Sequence, residues 1–484
     1  MQAARDWPEY DANPFVIHTA QPAAAEGEGG IAVADLDGDG LPDFLYSTPG
    51  SVGAYSHVGR KLWVLEVPIR LSGQSESEGL PGLHHPGAQA ADVDGDGEVE
   101  VVFLLQDGAL QVVDGRTGKT KKSARPPVFG EVERWESFIL CNLRGQGDRD
   151  IVLQATNPTG YRVGHYLQAM RMDRLEGEPL WRRDDFGALA HGPARAADLD
   201  GDGRDEIIGF TIVRSDGTSP AWRYPPISKD IAGGASFHID SLFIYDVRPD
   251  AAGLEAVLLE EGRNYIGVVN LERGVLWHRP GPERQEPQNA AVGDFDPTRP
   301  GLEIWCRSRH NVNQTPWVLD AGGDTIAQWK MADTAPPGWT DAGVEEIAVI
   351  DWDGSGPRYC AAKERHTAGD VCIFNPMTGD FLRRWTEKAS RIMVADVAGD
   401  AREEIIVVSG NDIRVQWNDQ SNPHPPRPRY WTQQHYRRSK ANWNYYSPSP
   451  RRSVRHGARP SRPYKLGDRF PLSANTPLRV SPLD

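Results

Sequence analysis

The sequence predicts an all-β protein folded as a single β-propeller, with eight blades favoured over seven and an extended C-terminal arm. An Asp-rich segment returns along the chain at intervals of 45–57 residues, and a short apolar run precedes and follows each copy. Glycine and proline, at 50 and 38 residues, are frequent enough to supply many turns. A repeat near 50 residues with several short strands per unit is typical of propellers and solenoids.

The repeats themselves set the number of blades. Three copies are intact and begin at Asp35, Asp92 and Asp198 with the pattern Asp-x-Asp-Gly-Asp-Gly. Five degenerate copies begin at Asn142, Asp246, Asp294, Asp351 and Asp396. Eight starts predict eight blades, or seven if one degenerate copy is an insertion.

The two ends of the chain are expected to complete the architecture. The propeller is predicted over residues 12–418, with a strand near Phe15–His18 completing the last blade. Residues 419–484 are rich in Pro, Arg and aromatic side chains, with twelve Lys/Arg and one acidic residue between Arg427 and Arg469. We expect this segment to form an arm packed on the propeller; a partly disordered tail is the alternative.

The intact loops predict calcium sites. Carboxylates at positions 1, 3, 5 and 9, with glycines at 4 and 6, provide the oxygen ligands that Ca²⁺ prefers, between strands rather than helices. The predicted ligands are Asp35, Asp37, Asp39 and Asp43, then Asp92, Asp94, Asp96 and Glu100, then Asp198, Asp200, Asp202 and Glu206. The alternative, that Asp-Gly pairs only make turns, fits the degenerate copies better.

Composition limits the remaining choices. No run approaches 18 apolar residues, so no membrane span is expected. The first residues lack an apolar signal core, which indicates either an intracellular protein or a signal already removed. Calcium loops favour the second, a secreted or periplasmic protein.

Cys360 and Cys372 flank a predicted hairpin and form either a disulfide or two buried thiols.

Propeller topology predicts where a functional site lies. The apolar run before each Asp loop is expected to be the innermost strand, so residues seven or eight positions upstream lie at the opposite mouth of the channel. His85, His191 and Trp135 hold the seventh position in three repeats, and His84 and His238 hold the eighth.

Further polar residues are expected at the same mouth. The loops between second and third strands should open there and carry Tyr161, Arg162, Arg307, Arg309 and His310. Cations around a histidine cluster indicate a site for an acidic ligand, although a lone histidine is more often structural.

The repeats resemble those of propeller-type polysaccharide lyases, most closely rhamnogalacturonan lyases, and are similar to ulvan and rhamnose–glucuronate lyases. The residues that carry the resemblance are the runs His84–Gly97, Asp294–Trp305 and Tyr436–Tyr446. It covers most of residues 25–446. The Asp loop alone is unspecific, since adhesive propellers share it. The chain departs from the pattern at Gln285-Glu-Pro-Gln288, where relatives carry a histidine.

The resemblance implies β-elimination at a uronic acid, with Ca²⁺ and an acidic polysaccharide or oligosaccharide as partner. The implied roles are a base, His85 or His191; an acid, Tyr161 or Tyr166; and Arg307 with Arg162 on the uronate carboxylate. Substrate contacts are expected from His84, His238, Trp135, Arg309 and His310. A monomer is expected, with no nucleic-acid partner.

Two other functions fit the same sequence. A noncatalytic carbohydrate-binding or adhesion propeller would share the fold and the basic rim without needing a base. A glycoside hydrolase would need two carboxylates across the sugar, for example among Glu136, Asp240 and Glu286.

Overall fold

Short antiparallel sheets make up nearly all of the regular structure. The computed structural model describes residues 10–24, 28–71, 86–155, 165–189, 192–222, 224, 239–282, 285–309, 314–355, 358–424, 428–440 and 444. Within them lie 31 strands and two short helices, α1 (Met331–Thr334) and α2 (Gln434–Lys440). The apolar, β-branched runs between Asp-Gly turns form the strands, as at Glu100–Leu104. No helix among the described residues is long and apolar enough to cross a bilayer.

The strands form eight blades. Blade 1 contains β2–β5 (Gly30–Ala34, Asp43–Thr48, Ser51–Tyr55, Lys61–Glu66), and blade 2 contains β6–β9 (Ala88–Ala91, Glu100–Leu104, Leu110–Asp114, Thr120–Ala124). Blade 3 contains β10–β13 (Ser137–Cys141, Asp150–Ala155, Tyr166–Arg171, Trp181–Arg183), and blade 4 contains β14–β16 (Arg195–Ala197, Glu206–Ile208, Ile212–Val213). Blades 5 to 7 are β17–β20 (Ile239–Tyr245, Glu255–Glu260, Tyr265–Asn270, Gly274–Pro280), β21–β24 (Pro287–Gly293, Glu303–Ser308, Trp317–Leu319, Thr325–Gln328) and β25–β28 (Val344–Ile350, Tyr359–Glu364, Gly369–Phe374, Phe381–Ala389). Blade 8 combines β29–β31 (Arg391–Ala395, Glu404–Ser409, Asp412–Gln416) with β1 (Phe15–His18).

The N-terminal strand closes the ring as the sequence predicts. Strand β1 pairs antiparallel with β31, with Phe15 opposite Val415 and His18 opposite Asp412. Blade 8 therefore joins the two ends of the propeller. The strand β1 is the outermost strand of blade 8 and therefore ties the start of the chain to the end of the ring.

The core is divided among the junctions between blades. Eight clusters of buried apolar residues occur in the described chain, and each draws on two neighbouring blades. The innermost strand of each blade is the apolar run that precedes its Asp loop, as expected. The Asp loops consequently lie together on one face of the ring, called the Asp-loop face below. The loops between second and third strands lie on the opposite face.

In the described residues, five tryptophans each link one blade to the next. In each case the indole N–H donates to a backbone carbonyl of the next blade at 2.6–2.9 Å. The pairs are Trp63 with Gly115, Trp181 with Ser215, Trp222 with Leu271, Trp277 with Ala321, and Trp329 with Pro376. Against each indole lies a glycine with positive φ in the receiving hairpin, namely Gly118, Gly217, Gly274, Gly323 and Gly379. A side chain at these glycines would contact the indole ring, and a positive φ also favours glycine, so the hairpin needs glycine for both reasons.

The cysteine pair takes the second of its two expected forms, that of two buried thiols. Cys372 lies opposite Ala362, and Cys360 lies opposite Phe374, so the two cysteines are offset by two residues on paired strands. Both are fully buried free thiols, and burial raises the pKa of each. They belong to the core cluster between blades 6 and 7.

Replacing Gly379 with alanine should lower the melting temperature more than replacing Gly50 with alanine. Both glycines have positive φ, +80° and +91°, so each variant carries a similar backbone cost of about 1–2 kcal/mol. A Cβ at Gly379 would lie 2.5 Å from the Trp329 ring, whereas nothing lies within 4 Å of a Cβ at Gly50. Overpacking adds about 1–3 kcal/mol. Equal shifts in thermal denaturation would show that the indole contact contributes nothing.

Candidate functional site

The intact Asp loops share one backbone arrangement. Asp35 accepts hydrogen bonds from the N–H groups of Gly38 and Gly40 at 2.9 and 3.0 Å. Asp92 and Asp198 do the same with the glycines at positions 4 and 6 of their loops. Gly38 and Gly40 have φ of +75° and +86°, which favours glycine. The loop thus curls back on its first aspartate.

Each intact loop brings three carboxylates together. One oxygen from each lies within 4.8 Å of the others in three groups: Asp35, Asp37 and Asp39; Asp92, Asp94 and Asp96; and Asp198, Asp200 and Glu206. Burial raises the pKa of Asp35 and raises that of Glu206 to about 8, so holding these groups ionised is unfavourable without a cation. Clustered hard oxygens of this kind fit Ca²⁺.

The carboxylate at the start of the second strand has a role that the sequence did not predict. In seven blades of the described chain it accepts one or two backbone N–H groups from its own loop. These residues are Asp43, Glu100, Asp150, Glu206, Glu255, Glu303 and Glu404. Asp43 uses both oxygens in this way, the second with His57 N–H. Asp43 lies outside the group of three convergent carboxylates in its loop, and its role as a metal ligand stays a prediction.

The second loop contains a cation of its own. The Lys121 ammonium on β9 lies 2.6 Å from Asp94, 2.9 Å from Asp96 and 2.8 Å from Glu100. Sequence reasoning missed this residue because Lys121 lies 25 positions beyond the loop. Its place is decided by the fold of blade 2.

Arginines occupy several degenerate loops. Arg144 stands at position 3 of its loop and lies 2.7 Å from Asp150, and Arg402 lies 2.5 Å from Asp400. Arg358 contacts Asp351 across the loop of blade 7. A guanidinium thus provides positive charge where the acidic pattern has been lost.

The C-terminal segment covers the axis on the Asp-loop face. Residues 428–440 and Asn444 reach blades 3, 4, 5, 7 and 8. Their contacts are Arg438 with Asp148 and Asp205, Asn444 with Leu242, Tyr430 with Asp351, Arg429 with Asp396, and Tyr436 and Lys440 with Glu403. The Asp-loop end of the channel is therefore filled by this segment, called the arm below.

Seven of the eleven residues predicted for the catalytic and substrate-binding site fall outside the described chain. These are His84, His85, Tyr161, Arg162, His191, His238 and His310. The structure describes the strand ends beside them, including Ala155 and Tyr166 around the loop of Tyr161. These strand ends belong to the face opposite the Asp loops.

Arg307 is described, and its expected place on the rim is wrong. The side chain is fully buried and turns inward between blades 6 and 7. Nη1 lies 2.8 Å from Glu345 Oε2, and Nη2 donates to Gln288 Oε1 at 2.6 Å. A guanidinium held in this way belongs to the interior of the ring rather than to its solvent-exposed rim.

Gln288 and Glu345 connect two arginines beneath this face. Arg365 donates to the same Gln288 oxygen at 2.7 Å, and its Nε lies 3.2 Å from Glu345. Burial acts to raise the pKa of Glu345, but Arg307 and Arg365 outweigh it, so the pKa is lowered. The adjacent acids Glu345 and Glu346 at the start of an innermost strand were a sequence signal for such a network.

Arg309 is the exposed arginine of this region. Its side chain is 55% exposed, and its guanidinium lies 3.2 Å from both Glu261 and Glu286. Nearby, Arg391 pairs with Glu346 at 2.7 Å. Among the described residues, this face therefore carries acidic as well as basic side chains.

Trp135 and Tyr166 are core residues. Trp135 is 1% exposed and Tyr166 is 8% exposed, and both belong to the cluster between blades 2 and 3. The Tyr166 ring stands edge-on to Phe129 at 5.6 Å. The aromatic rim expected from Trp135 is wrong, because the indole packs between blades.

Strained backbone is concentrated on the same face. Asn264, Glu286, Glu346 and His366 have φ between +50° and +58°, and all four lie near strand ends opposite the Asp loops. Such conformations in residues other than glycine cost energy and cluster at functional sites.

A further polar cluster in blade 5 was missed. The Glu260 carboxylate accepts a hydrogen bond from the Tyr224 hydroxyl. It lies 2.7 Å from His278 Nε2 and 3.3 Å from the Arg263 guanidinium. Tyr265 stacks on the His278 ring at 4.3 Å. Polar residues at the ends of three neighbouring strands were the signal for it.

Two curated proteins match the chain in sequence. Rhamnogalacturonan endolyase YesW of Bacillus subtilis (strain 168) is 23% identical over 444 residues, covering 78% of this chain and 64% of that protein. Rhamnogalacturonan exolyase YesX of the same organism is 24% identical over 451 residues, covering 78% and 68%. The chain thus spans slightly less than two thirds of the endolyase. No family model matches.

Solved structures share the fold. Rhamnogalacturonan lyase YesW superposes with a TM-score of 0.65 at 20% identity, and YesX with 0.67 at 19%. The Bacillus licheniformis rhamnogalacturonan lyase PL11 superposes with 0.65 at 19% identity. Each match covers 91% of this chain and 82% of the other. The resemblance to propeller-type rhamnogalacturonan lyases is confirmed.

Replacing Arg307 with methionine should reduce the free energy of unfolding far more than the same change at Arg309. Removing one partner of a buried ion pair costs about 3–5 kcal/mol, and Arg365 at 3.2 Å from Glu345 should keep the loss near the lower end of that range. An exposed pair such as that of Arg309 is worth about 0–1 kcal/mol. Denaturant unfolding of both variants measures the difference. Similar losses in the two would contradict the buried role of Arg307.

Proposed function

We propose that the chain is a polysaccharide lyase that cleaves a uronic-acid-containing, rhamnose-containing polysaccharide by β-elimination. The observation that carries this proposal is the match to two rhamnogalacturonan lyases in sequence and in fold over most of the chain. The alternating uronate and rhamnose of such a polymer defines the expected substrate class.

The reaction needs three functional groups. A positive charge must neutralise the uronate carboxylate so that the C5 proton becomes acidic, and it stabilises the enolate that develops. A base removes that proton. The C4–O bond then breaks, and an acid protonates the departing oxygen, which leaves a C4–C5 double bond.

The described chain supplies part of this set. Arg309 takes the contact with the uronate carboxylate, since it is exposed and Arg307 is buried. His85 or His191 is the base, because imidazole titrates near neutral pH. Tyr161 or Tyr166 is the acid. Burial and nearby Glu131 raise the pKa of Tyr166, so its hydroxyl keeps its proton at neutral pH.

The arm supports placing this site opposite the Asp loops. It fills the axis at the Asp-loop face with contacts to five blades. A polysaccharide that reaches the axis must approach from the other face. The mixed charge and strained backbone around Glu286 and Arg309 lie there.

Calcium belongs to the same proposal as a structural ion. We propose that it binds the loops that begin at Asp35 and Asp198, where three carboxylate oxygens converge. Among the described residues, one arginine pairs with a single carboxylate of each group, Arg60 with Asp37 at 3.4 Å and Arg214 with Asp200 at 3.6 Å. Bound there, calcium would neutralise the loop and hold it closed.

The two alternatives fit less well. A hydrolase would need two accessible carboxylates, but Asp240 is fully buried and Glu136 contacts Arg70 and Arg134. A binding propeller remains an outcome of the activity test.

Incubation with a rhamnogalacturonan-type polysaccharide should raise absorbance near 235 nm, since elimination alone creates the conjugated double bond. Replacing His85 or His191 with alanine should reduce this rate about 10²–10⁴-fold in the variant that lacks the base. His18→Ala, an exposed histidine on the outermost strand β1, is the matched control and should keep the parental rate. Normal rates in both candidate variants would place the base elsewhere. Binding without unsaturated product would establish a binding module instead.

Chelation of calcium should lower the melting temperature, because an ion that binds only the folded state stabilises it by mass action. Added Ca²⁺ should restore it. Differential scanning calorimetry with and without chelator, together with metal analysis of the purified protein, provides the test. An unchanged melting temperature and no bound metal would refute the assignment of calcium to these loops.

A further inference from the structure

We infer that Lys121 is a built-in counterion that competes with a divalent cation for the loop beginning at Asp92. The inference extends the proposed calcium sites, because it distinguishes this loop from the other two intact loops. All three have the same Asp-x-Asp-Gly-Asp-Gly sequence. What differs is the cation that the surrounding blade brings to them.

The contacts of Lys121 carry the inference. Its ammonium lies within 2.9 Å of Asp94, Asp96 and Glu100, so it uses three donors on three separate carboxylates. Asp94 and Asp96 belong to the convergent group of this loop. The oxygens that would bind a metal are therefore occupied by a positive group of the protein itself.

The other two intact loops provide an internal comparison. Arg60 reaches Asp37 alone at 3.4 Å, and its side chain is 70% exposed. Arg214 reaches Asp200 at 3.6 Å but lies closer to Glu272, at 2.7 Å. Neither guanidinium bridges the carboxylates of its loop. The loops at Asp35 and Asp198 thus keep convergent oxygens that a metal can take.

Charge explains why the lysine and the metal exclude each other. Ca²⁺ requires six to eight oxygen ligands close around it, and an ammonium among the same oxygens would repel the ion at short range. Calcium must expel this charged side chain before it can bind.

The fold places Lys121 at the loop through a β-bulge. Val112 lies opposite Lys122 and Val113 lies opposite Thr120, so Lys121 is the extra residue between them and contacts the Asp loop of its own blade. Lys122 Nζ donates instead to the Met172 carbonyl in blade 3 at 2.8 Å. The neighbouring residue is therefore a matched control with the same charge, the same strand and no contact with the loop.

The experiment counts bound calcium in the full chain by titration calorimetry after chelation. Lys121→Met should bind one more equivalent than the parent, with an affinity within about tenfold of the existing sites. Lys122→Met should bind the parental number. Adding Asp92→Ala to Lys121→Met should remove the extra equivalent, which assigns it to this loop.

A second readout uses stability alone. Without calcium, Lys121→Met should melt below the parent because three carboxylates lose their counterion. With calcium it should gain more in melting temperature than the parent or Lys122→Met.

The outcomes separate this inference from the calcium proposal. An unchanged calcium count in Lys121→Met overturns the role of Lys121, whatever the parent binds. If the parent binds no calcium and Lys121→Met binds one equivalent, the competition stands and the assignment to the Asp35 and Asp198 loops fails. If neither protein binds calcium, both are refuted.

Discussion

Negative charge gathered at one end of the ring is the constraint on which this structure depends. Every blade ends its innermost strand in a tight loop on the same face, and these loops carry acidic side chains at close spacing. A carboxylate at the start of the second strand then clamps the loop backbone in seven of the described blades. The acids that fold each loop therefore also repel one another, and a nearby cation reduces this repulsion.

Cations of the protein balance the negative charge of the Asp loops in more than one way. Degenerate loops contain or receive an arginine, such as Arg144 or Arg402. The arm brings Arg429, Arg438 and Lys440 to the loops around the axis. Convergent carboxylates are present in the three intact loops, where the cation contacts differ. Arg60 and Arg214 each reach one carboxylate of their group, whereas Lys121 reaches three carboxylates of its loop. Losing a carboxylate and gaining an internal cation thus have the same effect, because both reduce the net negative charge of a loop.

The opposite face follows from this arrangement. Because the arm fills the axis on the Asp-loop side, access to the axis is shifted to the other side. There the buried network of Gln288, Glu345 and Arg307 fixes the junction of blades 6 and 7, and Arg309 stands above it in solvent. Arg307 stabilises the junction of the blades that present Arg309, so these two arginines have separate roles.

Sequence alone determined the all-β propeller, its eight blades and its closure by Phe15–His18, because a repeat with strand periodicity dictates local structure and a ring must close. The resemblance to rhamnogalacturonan lyases was also evident from the repeats and the runs beside them. Sequence did not reveal that Arg307 and Trp135 are buried, that Asp43 binds backbone amides, or that Lys121 sits among carboxylates of a loop 25 positions away. These depend on which way a side chain turns at the end of a strand and on which blade packs beside it. Only the tertiary structure decides such matters, since the contacts that fix them join residues far apart in the chain.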